Sequence, residues 1–184
     1  MYEIFLVDTS ELDAHTFSLL LTLLPLSEQK NISAKREGTN SLVAAFLVRY
    51  ALKNVFGISF KKIEILRNEK GKPYLMNYPD IHISISHSEN IVVCAVSDKP
   101  AGIDIQKIKP VSEAVMKRVC SDKELNEIKN SFSPVSSFIY TWTKKEAVLK
   151  KKGSGILDKN IRNCLEDETV ISTKYKNFVI SCTL

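Results

Sequence analysis

The sequence predicts an α+β protein built from two similar α+β halves. Three observations carry this prediction. Stretches with helical spacing of apolar residues alternate with short β-branched runs. Each half contains one long helix and several strands in matching order. Two strand sequences, "NIVVCAVS" at 90–97 and "NFVISCTL" at 177–184, share length, an opening asparagine and an apolar pattern, as an internal duplication would leave them. The expected subdomains are 1–100 and 101–184, joined near Pro100.

Residues 2–7 run apolar and read as a strand, and 11–24 read as helical. Residues 27–38, "SEQKNISAKREG", are polar and include a basic pair. A helix follows, with Asn40 or Ser41 as its cap, "LVAAFLVRYALKNVF" as its body and Gly57 as its stop. Four short strands come next: "KIEILR", "PYLM", "IHISIS" and "NIVVCAVS", with "GKP" turning between the first two. In the second half "GIDIQ" is a strand. "PVSEAVMKRV" and "SDKELNEIK" are helices. "SSFIYTWTKKEAVLKKKG" is a long helix with serine at its start and glycine at its end. "TVISTKY" and "NFVISCTL" close the chain as strands.

Composition narrows the function classes. The 184 residues are 44% hydrophobic and 26% charged, as in ordinary globular proteins. A net charge of +5 suits acidic partners but is too small to imply nucleic acid. The N-terminus lacks the pattern of a signal peptide. The most apolar run, "FSLLLTLLPL", is too short to span a bilayer. The 4 cysteines form no C-x-x-C pair, which argues against a zinc site and fits a reducing cytoplasm.

Chemistry-bearing residues stand out against this background. Phe138, Trp142, Lys145, Glu146 and Leu149 follow apolar-face helical spacing. Lys145 and Glu146 therefore share a sector with an aromatic stripe, where charge is costly unless paired or metal-bound. The plainer reading is a surface pair from Glu146 to Lys150. Asp104 is a carboxylate inside an apolar strand, with Gln106 on the same strand face. Two carboxylates near a lysine can hold Mg²⁺. A strand-edge Asp104 paired with a lysine is the simpler alternative. "HISISHS" at 82–88 ends in hydroxyls and an imidazole suited to phosphate, or forms an ordinary surface turn. Lys72 in "KGKP" is a basic hairpin tip.

In order along the chain, "GKP", "ISHS", "GIDIQ" and "WTKKEAVLKKKGSG" resemble the signature of the Sfp-type (surfactin-synthetase-activating) 4′-phosphopantetheinyl transferases. That family shows G-K-P, S-H-S, G-[IV]-D-x-E and W-[ST]-x-K-E-[SA]-x-x-K-x-x-G-x-G. The resemblance runs from about residue 35 to 157. It implies two similar α+β halves related by a pseudo-twofold, with the active site between them. The first half would take the adenine and 3′-phosphate side of coenzyme A, and the second the metal and catalytic residues. The implied reaction transfers 4′-phosphopantetheine from coenzyme A to a carrier-protein serine and releases adenosine 3′,5′-bisphosphate.

By resemblance, Asp104 and Glu146 are ligands of Mg²⁺ (or Mn²⁺). Lys145 stabilises charge or relays a proton. Glu124 is a third acid or base, with Glu127 as its competitor. Lys150 contacts phosphate. Lys72, Ser86 and His87 contact the 3′-phosphate or adenine end, and Ser41 supplies a hydroxyl there. Lys30, Lys35 and Arg36 form a basic segment that could reach the 3′-phosphate. Two departures matter. Gln106 replaces the second acid of G-I-D-x-E and would contact the metal weakly or through water. Ser84 stands where many members have asparagine.

The implied partner is an acidic acyl or peptidyl carrier protein, with no nucleic acid and no membrane. Val115, Met116 and Val119 would serve as a docking face or as core. A monomer is expected, because a duplicated chain builds its interhalf site alone. The alternatives are a coenzyme A-binding module with weakened catalysis, and a hydrolase of pyrophosphate bonds.

Overall fold

Gly57 and Gly153 each end a 19-residue helix, and each does so with a left-handed φ of 69°. Glycine takes this conformation without a Cβ penalty and turns the chain away from the helix. These helices, α3 (Gly38–Phe56) and α6 (Pro134–Lys152), are the centres of two similar halves. The computed structural model describes residues 1–34, 38–154, 160–166 and 168–184.

The first half runs β1 (Tyr2–Asp8), α1 (Ala14–Thr22), α2 (Leu26–Ser33), α3, a 3₁₀ turn at Phe60–Lys62, β2 (Ile65–Arg67), β3 (Pro73–Leu75), β4 (His82–Ser88) and β5 (Ile91–Ser97). The second runs β6 (Gly102–Lys107), α4 (Glu113–Val119), α5 (Asp122–Lys129), α6, a 3₁₀ turn at Ile161–Asn163, β7 (Ile171–Tyr175) and β8 (Phe178–Thr183). The main sheets have the same antiparallel topology: β1-β5-β4 and β6-β8-β7, each with its last strand in the middle. Among the described residues, the extra hairpin β2-β3 occurs in the first half alone.

The two sequence-matched strands, 90–97 and 177–184, are these central strands β5 and β8. Each is entered through a tight hairpin at a non-glycine residue with positive φ, Glu89 (51°) and Lys176 (52°).

β5 is buried along its whole length because it has a core on each face. Val92, Cys94 and Val96 pack with Val48, Ala51 and Leu52 of α3. Ile91, Val93 and Ala95 meet Ile103 and Ile105 of β6 and Phe178 and Ile180 of β8. Burial on both faces selects an unbroken apolar run instead of alternation. Each large aliphatic side chain buried there contributes about 1.5–3 kcal/mol. A third core lies under α6, where Val119, Cys120, Phe138, Ile139 and Val148 pack together. Val119 is buried in it and Val115 and Met116 pack against it. The sequence left these three between docking face and core; Val119 is core, and Val115 and Met116 are half-buried at its edge.

Several boundaries differ from the sequence reading. The polar stretch 27–38 contains a helix, α2, because Ile32 is buried against Leu24 and Leu42. α3 starts at Gly38, so Asn40 and Ser41 lie in its first turn and do not cap it. The Asn40 side chain instead accepts from Thr9 (3.2 Å) and donates to the Glu89 carbonyl (2.6 Å). α6 starts at Pro134, a residue pre-set for a first helical turn, two positions before the expected serine. Only Ile65–Arg67 of "KIEILR" is strand. Among the described residues, no helix is long and apolar enough to cross a membrane.

Candidate functional site

The site forms where β4 of the first half meets β6 of the second. Alternation along β4 puts Ser84, Ser86 and Ser88 on one face. Their hydroxyls accept from the backbone N–H groups of Ile103 (3.0 Å), Ile105 (3.4 Å) and Lys107 (3.1 Å). β6 is an edge strand, and this serine ladder satisfies amides that its own sheet leaves unpaired. On the other side of β6, Gly102 lies against α6. A Cβ there would sit 1.9 Å from the Ala147 carbonyl oxygen. Only glycine lets the strand approach α6 this closely.

Asp104 is held in this seam and is only 2% exposed. Its Oδ1 accepts from Ser86 Oγ (2.7 Å) and from Lys150 Nζ (2.6 Å). Its Oδ2 accepts from Gln106 Nε2 (3.3 Å). Lys150 therefore pairs with Asp104 within the second half, Ser86 reaches Asp104 from the first, and the surface pair with Glu146 does not form. Asp104 is indeed paired with a lysine, as the simpler reading had it, but in the interior. Glu146 Oε1 is buried and has no hydrogen-bond partner. Burial, and then the nearby Asp104 charge, push the Glu146 carboxyl up to about 7, and Lys150 opposes the shift.

A cavity of about 230 Å³ opens beside these groups. Its lining includes Glu146, Lys150, Lys72, Lys70, Arg67 and Ser154. Four cations thus share the cavity wall with a carboxylate, and the Ser154 hydroxyl is buried without a partner. The Lys72 ammonium donates to the Lys151 carbonyl (2.6 Å) at the end of α6, a favourable place for positive charge. Burial lowers the Lys72 pKa. A second cavity of about 340 Å³ adjoins the first along Arg67 and Ile85. Ser41, His87, Asn31 and Glu28 line it.

The structure thus brings Asp104, Gln106, Glu146, Lys150 and Ser86 together, with Lys72 beside them and Ser41 and His87 in the adjoining cavity. Ser86 is buried, and its hydroxyl is engaged by Asp104 and Ile105. Lys145 and Glu124 form a separate pair. Lys145 is 0% exposed, and its ammonium meets Glu124 Oε2 (2.9 Å) and the carbonyls of Ile161 (2.9 Å) and Arg162 (2.6 Å). Glu124 also caps α5 reciprocally with Ser121. Its competitor Glu127 is exposed. Neither Lys145 nor Glu124 lines the two cavities. Lys30 is exposed on α2; Lys35 and Arg36 lie outside the described residues.

Sequence reasoning missed Arg67, Lys70 and Ser154. The first two flank "GKP" in "RNEKGKP", and basic residues bordering a basic turn were the available signal. It also missed the ladder role of Ser84 and Ser88, although the strict serine alternation in "HISISHS" marked one polar face.

Could this site hold a cation? Among the described residues, no group of three or more His, Cys, Asp or Glu side chains is placed to bind a metal. Two carboxylates plus an amide are present, and Glu146 Oε1 is an orphaned buried acceptor. Such a donor set fits a hard cation that completes its shell with water and phosphate oxygens.

Comparison with known proteins adds an independent line. Residues 11–99 match the family described as 4′-phosphopantetheinyl transferase, N-terminal. Residues 100–179 match the 4′-phosphopantetheinyl transferase superfamily. A 4′-phosphopantetheinyl transferase of Bacillus subtilis is 36% identical over 124 residues, covering 66% of this chain and 55% of the relative. The transferase Sfp of Bacillus subtilis strain 168 is 33% identical over the same shares. The transferase gsp of Aneurinibacillus migulanus is 34% identical over 153 residues, covering 80% of this chain and 63% of the relative. The chain therefore spans somewhat more than half the length of these relatives.

Proposed function

Since the chain belongs to the 4′-phosphopantetheinyl transferase superfamily and is of the Sfp type, we propose that it transfers 4′-phosphopantetheine from coenzyme A to a serine hydroxyl of an acidic acyl or peptidyl carrier protein. Adenosine 3′,5′-bisphosphate leaves. One observation carries the reading: buried Asp104 and orphaned Glu146 share a seam with Lys150, beside a cavity lined by Arg67, Lys70 and Lys72. A pyrophosphate needs such a mixture of cations and cation-binding carboxylates.

Asp104 and Glu146 would hold Mg²⁺ (or Mn²⁺), with Gln106 contributing weakly or through water. When bound, the ion supplies charge neutralisation at the pyrophosphate. The protein's own residues do the rest. Arg67, Lys70, Lys72 and Lys150 hold the pyrophosphate and its growing charge. Ser41 and His87 face the nucleotide end in the second cavity. Ser86 orients Asp104. The carrier serine attacks the phosphorus that bears pantetheine, and the bond to the bridging oxygen breaks. Glu146 lines the cavity where the hydroxyl would arrive, so its carboxylate is our candidate for the serine proton as well as for the ion. The bonding of Glu124 and Lys145 supports a positioning role for that pair behind α6. The two subdomains, 1–100 and 101–184, would divide nucleotide binding from metal binding. A cytoplasmic monomer is the setting this reading expects.

Incubation with coenzyme A, Mg²⁺ and an apo carrier protein, followed by intact-mass measurement of the carrier, tests the proposal. A gain of one phosphopantetheine supports it. Binding of coenzyme A without gain indicates a binding module. Cleavage of coenzyme A without a carrier indicates a hydrolase.

A further inference from the structure

The second cavity contains a group that does not suit an anion. Glu28, the third residue of α2, lines it together with Asn31, Ser41, Arg67 and His87. A carboxylate facing a phosphate would repel it. Glu28, however, is bound from behind. Its Oε1 accepts from Arg49 Nη2 (2.5 Å). Arg49 is 1% exposed and lies on α3 beneath Ala44 and Ala45, which line the same cavity. Its Nη1 donates to the Ala45 carbonyl (3.0 Å), its Nη2 also reaches the Ile63 carbonyl (3.5 Å), and its guanidinium lies 5.1 Å from the Phe60 ring centre. The cation is thus fixed where it cancels the glutamate and does not itself line the cavity.

We infer that the Glu28–Arg49 pair is a specificity device: Arg49 neutralises Glu28, and so lets the second cavity accept the 3′-phosphate of coenzyme A. This rests on the reading above, in which the nucleotide end of coenzyme A occupies that cavity. Arg49 acts through Glu28 and is a positioning residue. The pair also links α2 to α3, so its loss has a structural component that the test must separate.

The separating readout is the comparison of coenzyme A with 3′-dephospho-coenzyme A, each with the same apo carrier as acceptor. Arg49→Met leaves a carboxylate uncompensated in the cavity. It should raise KM for coenzyme A about tenfold, which corresponds to about 1.4 kcal/mol. KM for dephospho-coenzyme A should change less than about threefold, and kcat less than about twofold. Glu28→Gln added to Arg49→Met removes both charges and should bring the coenzyme A KM back to within about threefold of wild type. Equal rises for both substrates, or no recovery in the double variant, would overturn the inference and leave the pair as packing. If Arg49→Met does not fold, Glu28→Gln alone decides. Removing the negative charge should lower the coenzyme A KM or leave it unchanged; a rise confined to coenzyme A would overturn the inference. Wild-type protein that transfers from neither substrate would instead overturn the functional reading itself.

Discussion

Both halves bury a cation on their long helix and pair it with a glutamate of the preceding short helix. In the first half Arg49 meets Glu28, and in the second Lys145 meets Glu124. Each glutamate is the third residue of an eight-residue helix, and each cation is the twelfth residue of a 19-residue helix. Each cation also bonds carbonyls at the 3₁₀ turn that follows, Ile63 in one case and Ile161 and Arg162 in the other. The repeat is a joint: a buried charge ties three consecutive elements of one half together. Its surroundings differ. The first copy borders a cavity, and the second lies behind α6, away from both cavities. The difference teaches that an equivalent position in two similar halves does not fix a role. On the neighbouring face of α6, one and five residues past Lys145, Glu146 and Lys150 face β6, whereas the matching positions of α3 carry Tyr50 and Asn54.

The largest expected effect is on that second joint. Lys145→Met leaves Glu124 and two carbonyls without their cation. Breaking a buried pair from one side costs about 3–5 kcal/mol. Urea unfolding should show a loss of this size, and Lys145→Arg, which imports the cation of the first half, should recover at least half of it. Equal stability of wild type and Lys145→Met would contradict the equivalence of the joints.

A smaller effect concerns pH. Glu146 has a folded pKa of about 7, above the ordinary 4.5. Between these values the folded protein holds a proton that the unfolded chain has lost, so metal-free stability falls as pH rises from about 4.5 to about 7. The amount is on the order of 1–3 kcal/mol. Glu146→Gln should flatten this slope and no other part of the pH profile. A slope that persists in the variant would assign it to another group.

The smallest effect is at Gln106. It donates to Asp104, so Gln106→Glu replaces a donor with a second negative charge. The Mg²⁺ concentration for half-maximal transfer should fall severalfold, and an unchanged value would place Gln106 outside the metal's reach.

The sequence made much of this legible. Gly57 and Gly153 stop their helices where expected, and the resemblance of 90–97 to 177–184 corresponds to two equivalent central strands. Asp104 and Glu146, read as charges in apolar settings, do meet in one seam. What stayed hidden depended on tertiary contact. Helix α2 looked like a polar loop because Ile32 is its one buried residue. Asn40 looked like a cap because its actual partners, the Thr9 hydroxyl and the Glu89 carbonyl, are distant in sequence. Lys145 and Glu146 are adjacent in sequence and looked alike. A rotation of about 100° per residue sends one toward α5 and the other toward β6.

In the proposed reaction the second half supplies the reactive carboxylates while the first half holds the nucleotide. Asp104→Asn tests it most directly, with carrier mass followed over time and coenzyme A binding measured in the same preparation. Transfer should slow about 10²–10³-fold, a loss of about 3–4 kcal/mol, with coenzyme A affinity within about threefold of wild type. A variant that converts the carrier at the wild-type rate would contradict it.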